Sequence, residues 1–187
     1  MTIALNGMGV SRGVAIGNVH IIERDQLEIV EYPVADTAIE AEVKRLQDAV
    51  IQAKQQLRAI RDHIPETTSV DIATFIDTHL LMMEDNALTQ EPIRLIKENK
   101  CNAEWVLKLQ RDALVAAFEE MNDAYLRTRR DDVDHVVNRI QRILLKHAPL
   151  PHEARDSRLN GCIVLADDLT PADTVLMQHQ GIVAFIT

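Results

Sequence analysis

The sequence predicts an α+β protein in which a helical bundle is inserted between two stretches of strand, and three observations carry that expectation. Gly7, Gly9, Gly13 and Gly17 crowd the start, Gly161 and Gly181 lie near the end, and no glycine occurs from Asn18 to Asn160. Glycine costs a helix interior about 1 kcal/mol and punctuates turns instead, so the glycine-free middle suits helices. Within it Ile39, Val43, Leu46, Val50, Ala53, Leu57, Ile60 and Ile64 recur at spacings of four and three, the seam of one long helix packing on others. The two ends, by contrast, carry short apolar, β-branched runs.

Taken in order, Val14 to Ile22 reads as strand, forming an N-terminal hairpin with the glycine-punctuated opening. The long helix lies between Pro33 and Pro65. A second runs from about Ser69 to Asp85, a third from Pro92 to Asn99, a fourth from Asn102 as N-cap to about Met121, and a fifth from Asn122 or Asp123 to His147. The prolines, including Pro149 and Pro151, are read as boundaries or first-turn positions. Cys162 to Ala166 is a short buried strand, and Thr170, Pro171 and Asp173 form an N-cap, a first-turn proline and an acid at N3 of a helix reaching about Gln178. Gly181 ends that helix, and the final IVAFIT is another strand, completing a strand-helix-strand unit.

At 187 residues and 47% apolar content the chain can bury a core, which excludes a disordered tail or a disulfide mini-protein. A formal charge of -9 and a pI near 5.2 set its field against phosphate backbones, so nucleic acid is not an expected partner. Cys101 and Cys162 are too far apart in sequence for a CxxC site, and two cysteines suit a reducing cytoplasm. No run of eighteen apolar residues suggests a membrane span, and the first residues lack the pattern of a signal peptide.

Gly7, Gly9 and Gly13 resemble a dinucleotide loop only superficially, because a strand-like run follows where a helix would have to begin. The histidines His63, His79, His135, His147, His152 and His179 show no HExxH pattern and no pairing with carboxylates at i+4 on a clear site face, so no metal site is expected. Walker, nucleophile-elbow and Cys-His patterns are also missing from the sequence.

The second helix is unusual on a helical wheel. Ile72, Ala73, Ile76, Leu80 and Met83 make a core face, while Asp71, Thr74, Phe75, Thr78, Leu81, Met82 and Asp85 lie opposite, with His79 at the border. Glu66 to Glu91 holds six acids and no Lys or Arg, whereas Arg127 to Lys146 holds six bases and three acids. Either a neighbouring helix covers this second face, or it docks a basic protein.

THLLMMEDNAL (Thr78 to Leu88), NAEW (Asn102 to Trp105), NDAYLRTRRDDV (Asn122 to Val133), VLADDLTPADT (Val164 to Thr174) and IVAFIT resemble, in this order, the N-terminal half of Enzyme I. That family is the phosphoenolpyruvate-protein phosphotransferase of the bacterial phosphotransferase system, with a sugar and a nitrogen branch. GVSRGVAIGNVHII fits the same family's opening. The resemblance implies N-terminal strands of an α/β subdomain over 1–32, a helical subdomain that docks the phosphocarrier HPr over 33–148, and part of the α/β phosphohistidine subdomain over 149–187.

It also implies roles. Asp71, Thr74, Phe75, Thr78, His79, Leu81, Met82 and Asp85 match docking positions for HPr or a nitrogen-branch paralogue. The phosphorylated histidine belongs to a GGRTSH motif expected past Thr187, so none of the chain's own histidines matches it and the fragment alone is expected to be inactive. Thr174 matches a threonine that hydrogen-bonds that histidine, or is an ordinary helix residue. Arg129 matches an arginine near the phosphoryl group, or is a solvated surface charge. Magnesium would be bound by a C-terminal barrel of the full-length enzyme and not by this fragment. The fragment is expected to be a monomer, and the full-length protein a homodimer. A non-catalytic helical interaction module is the alternative expectation.

Overall fold

The computed structural model of the chain describes residues 7–22, 27–62, 64, 70–120, 124–146, 159–166, 169–177 and 180–187. Strand β1 (Asn18–Ile22) leads through a 3₁₀ turn (Asp36–Ala38) into helices α1 (Ile39–Asp62), α2 (Val70–Met82), α3 (Asn86–Asn99), α4 (Ala103–Glu119) and α5 (Ala124–Leu144). Strand β2 (Cys162–Ala166), helix α6 (Pro171–Met177) and strand β3 (Ala184–Ile186) follow.

The heptad seam makes α1 the central helix. Val43, Leu46, Val50, Ala53, Leu57 and Ile60 are all buried, with Ile39 and Ile64 packed against them at the ends. α1 touches each of α2 to α5. On α5 the answering residues are Val133, Val136, Val137, Ile140 and Leu144, again at spacings of three and four. α4 supplies Ala103, Val106 and Leu107.

Several elements differ from the sequence reading for identifiable reasons. α2 stops at Met82 rather than Asp85, and α3 starts at Asn86 rather than Pro92. Asp85 decides both, because its Oδ1 accepts the Ala87 N–H at 2.7 Å and so caps α3. Pro92 then lies buried inside α3, its ring filling core space at the cost of one backbone hydrogen bond. Asn102 does stand at the N-cap of α4, yet its side chain does not cap. Glu42 of α1 accepts the Ala103 N–H instead, at 2.7 Å. The expected starts at Ser69, Asn122 or Asp123, and the ends at Met121, His147 and Gln178, lie outside the described residues, as do Pro65, Pro149 and Pro151.

Asn102 is used across the chain. Its Oδ1 accepts the Tyr32 N–H at 3.0 Å and its Nδ2 donates to the Val30 carbonyl at 3.1 Å, while its own N–H donates to the Tyr32 carbonyl. Together with the Pro33–Cys101 bridge and the Val34 N–H to the Lys100 carbonyl, these bonds fasten the segment before α1 to the α3–α4 turn. Asn102→Ala is expected to cost about 1–3 kcal/mol, because the amide's partners are left unpaired in a part-buried site. Hydrogen exchange should then accelerate at the Tyr32 amide ahead of the helices.

The N-terminal hairpin is replaced by a parallel sheet of order β1-β2-β3. β1 pairs with β2 from Asn18 with Cys162 to Ile22 with Ala166, and β2 with β3 from Ile163 with Ala184 to Leu165 with Ile186. Parallel pairing follows from the connections, since all five long helices lie between β1 and β2 and α6 lies between β2 and β3. β1 is also shorter than Val14 to Ile22. Just before it Gly17 passes so close to the Gly161 carbonyl that any Cβ there would collide with it. Gly181, with φ 71°, closes the turn after α6.

One face of this sheet, Ile22, Val164 and Ala166, packs with Met177, Leu169 and Ile182 in a small apolar cluster. Val19, Ile21 and Ile186 on the other face are exposed. α6 has the expected reciprocal cap: the Thr170 N–H donates to Asp173 Oδ2 at 2.9 Å and the Asp173 N–H to Thr170 Oγ1 at 3.2 Å. Its Ala172 and Val175 belong to the core of the helical bundle, whereas its Met177 belongs to the sheet cluster.

Candidate functional site

Two walls meet along α2. Its core face is as read from the wheel, with Ile76 and Met83 fully buried and Ile72 and Leu80 packed beside them. Its outer edge presents Asp71, Thr74, Leu81 and, at the following turn, Asp85 as exposed residues, with Thr78 half-buried and donating to the Thr74 carbonyl. Leu81 is 69% exposed, well beyond what a core-facing leucine would be. Phe75 and Met82 are half-buried and lie against the bundle core behind that edge.

His79 departs from the expected docking face. It is 4% exposed, because α5 packs over the side of α2 on which it lies. Its Nε2 faces Asp132 Oδ1 at 3.3 Å, and the Phe75 ring lies 4.0 Å away, centroid to centroid. Burial pushes the His79 imidazole down to about 4, against the opposing pull of Asp132. The ring is therefore neutral at pH 7, with a proton on the nitrogen that meets the carboxylate. A neighbouring helix thus covers the His79 side of this second face, while Asp71, Thr74, Leu81 and Asp85 remain exposed.

Arg129 is half-buried rather than a solvated surface charge. It donates from Nη1 to Asp132 Oδ2 at 2.8 Å, so one carboxylate joins Arg129 to His79. His135, one turn along α5 from Asp132, brings its ring centroid to 6.1 Å from that of His79. The ligating atoms of His79, Asp132 and His135 all lie within 4.8 Å of one another. The i, i+3 spacing of Asp132 and His135 on one face of α5 is the sequence signal for this group. The sequence gives no sign that α2 and α5 are adjacent. Thr174, on α6, donates its hydroxyl to the Pro171 carbonyl at 2.8 Å, the local helix role. His63, His147, His152 and His179 lie outside the described residues.

The charge segregation seen along the sequence is partly cancelled in space. Arg61 of α1 pairs with Asp77 at 3.0 Å, and Arg58 and Lys54 approach Glu84 at 3.5 and 3.9 Å. Of the acids on the outer edge, Asp85 spends its side chain on the α3 cap while remaining exposed.

A helical bundle with a parallel strand-helix-strand element docked on it, presenting an acidic edge with one exposed leucine, defines an α+β domain with a surface suited to a protein partner. The chain belongs to the family described as PEP-utilising enzyme, N-terminal, whose profile matches residues 6–129. It is 37% identical to a phosphoenolpyruvate-protein phosphotransferase of Cupriavidus necator and 34% identical to one of Enterococcus faecalis, over the whole of this chain in both cases. It spans about a third of the length of those relatives, 33% and 32% respectively, and the name they bear is that of a transferase family. A solution structure of an Enzyme I matches with a TM-score of 0.79 at 24% identity, over 94% of this chain and 69% of that one. The N-terminal domain of a nitrogen Enzyme 1 matches with a TM-score of 0.65 at 18% identity, over 88% and 66%. Both likenesses establish the fold. Among the described residues no helix is long and apolar enough to cross a membrane.

Proposed function

We propose that this chain is the carrier-docking part of a phosphoenolpyruvate-protein phosphotransferase, working in the cytoplasm, and that the outer edge of α2 receives HPr or its nitrogen-branch paralogue. The observation that carries the reading is Leu81, exposed on an otherwise acidic edge with Phe75 and Met82 half-buried behind it. An apolar anchor ringed by acids suits a small basic partner: desolvation of the leucine supplies affinity, and Asp71 and Asp85 steer the encounter. In the whole protein a phosphohistidine would hand its phosphoryl group to the carrier's histidine. Magnesium, bound to the C-terminal barrel, would help phosphoenolpyruvate charge that phosphohistidine. Arg129, oriented by Asp132, would be the guanidinium that meets a phosphoryl oxygen. The domain division over 1–32, 33–148 and 149–187, a monomeric fragment and a dimeric full-length protein belong to the same reading.

Titration of the isotope-labelled chain with HPr, and separately with the nitrogen-branch carrier, tests it by NMR. Amides between residues 71 and 85 should shift with one of the two carriers, and unmoved amides with both would sink the assignment. Leu81→Ala should weaken binding by about 1–2 kcal/mol without destabilising the fold. Phe75→Ala is a poorer probe, because Phe75 also packs on His79 and the core.

A further inference from the structure

We propose that His79, Asp132 and His135 form a binding site for a first-row transition metal, with zinc as the occupant best matched to it. Asp132 and His135 stand three residues apart on α5 and so share one face, and His79 meets them from α2. A carboxylate and a histidine at this spacing, completed from a facing helix, is how bundle proteins assemble metal sites from side chains that point inward.

The distances suit a small tetrahedral ion. Zinc bonds of about 2.0–2.1 Å to nitrogen and oxygen put tetrahedral donors about 3.3 Å apart. His79 Nε2 and Asp132 Oδ1 already stand at 3.3 Å. The widest separation in the group, within 4.8 Å, closes by a side-chain movement of about 1.5 Å. Metal capture would replace the imidazole N–H to carboxylate hydrogen bond by two coordinate bonds, the imidazole proton moving to the other ring nitrogen. Water would complete the coordination.

The surroundings support the ligands. Arg129 holds the second carboxylate oxygen, Oδ2, at 2.8 Å, which orients Asp132 so that Oδ1 faces His79. The Phe75 ring, 4.0 Å from His79 and 6.4 Å from His135, forms an apolar wall on one side. The guanidinium groups of Arg129 and Arg139 oppose a cation and make this a weaker site than a closed structural zinc centre. Two imidazoles and one carboxylate select zinc, cobalt or nickel, whereas magnesium and calcium require oxygen ligands. The proposal is independent of the docking reading, since it rests on the buried side of α2 rather than its exposed edge.

Chelator-treated protein, as the 187-residue chain, tests it by calorimetric titration with Zn²⁺ and by the visible absorption of Co²⁺. One equivalent of each should bind. Cobalt should give tetrahedral d–d bands without a thiolate charge-transfer band, and Mg²⁺ should give no heat. His135→Gln and His79→Gln should each weaken zinc binding at least about tenfold, with a double His147→Gln, His152→Gln control unchanged. Should His79→Gln fail to fold by circular dichroism, His135→Gln decides alone. Absence of zinc binding, or zinc binding that survives His135→Gln unchanged, would overturn the proposal.

Discussion

Replacing Arg45 with leucine should lower the unfolding free energy at pH 7 by about 3 kcal/mol, and should reverse how stability responds to mild acid. Arg45 reaches Glu104 twice, with Nη1 and Nη2 each at 2.7 Å, and grips Glu42 from Nε and Nη2 at 3.0 and 2.6 Å. The Glu104 side chain is only 5% exposed and Arg45 is 33% exposed, so the estimate is taken from the low end for a broken buried pair. Burial, the largest single influence, would raise the Glu104 carboxyl, but the hydrogen bonds and charge of Arg45, together with hydrogen bonds from the backbone and from Asn102, outweigh it and hold the group below its ordinary value.

The sign of the pH effect follows from that balance. A depressed carboxyl stabilises the fold above its unfolded pKa, near 4.3, and that contribution is lost as pH falls through the lower folded value. Without Arg45 burial dominates, the folded pKa rises above the unfolded one, and folding takes up a proton. The variant should therefore become more stable between pH 7 and about pH 5, while the parent gains nothing from Glu104 over that range. Urea unfolding at both pH values measures this. A variant that weakens in acid alongside the parent would mean that the Asn102 amide, 3.1 Å from Glu104 Oε2, and the backbone hold the carboxylate without Arg45.

Ile76→Ala should cost about 2–5 kcal/mol, the range for removing a large side chain from a closed core. Ile76 is fully buried on the inner face of α2, in the cluster to which α1, α5 and α6 all contribute. Leu81→Ala, five residues along the same helix, should change stability by no more than about 0.5 kcal/mol. Chemical denaturation of the two variants makes the comparison, and equal losses would show that α2 lies in the bundle the other way round.

Those paired expectations also show what the sequence could carry. Periodicity located the core because one helix face repeats over many residues: the six central seam positions of α1 are all buried, and the inner face of α2 is as read. It failed where a single side chain chooses between partners that are distant in sequence. By periodicity Asp85 closes α2, and only the turn geometry shows it capping α3 instead. His79 lies on the border of a wheel, where neither face decides its fate, and the approach of α5 buries it. Strand direction was equally hidden, because the opening residues do not say that their hydrogen-bonding partner lies beyond all five helices. Family resemblance, by contrast, rests on ordered motifs rather than on contacts, so it is legible in the sequence itself.

Helix α6 is only seven residues long, yet its two ends are sealed into different apolar clusters, Ala172 and Val175 in the bundle and Met177 against the sheet. Neither cluster can melt without stripping one side of this helix, so its short backbone ladder transmits the loss to the other cluster. The bundle and the sheet, although built from sequence segments with such different patterns, are thermodynamically coupled. Heat absorption on warming should register them as one cooperative unit, and a ligand that tightens either part raises the melting point of both.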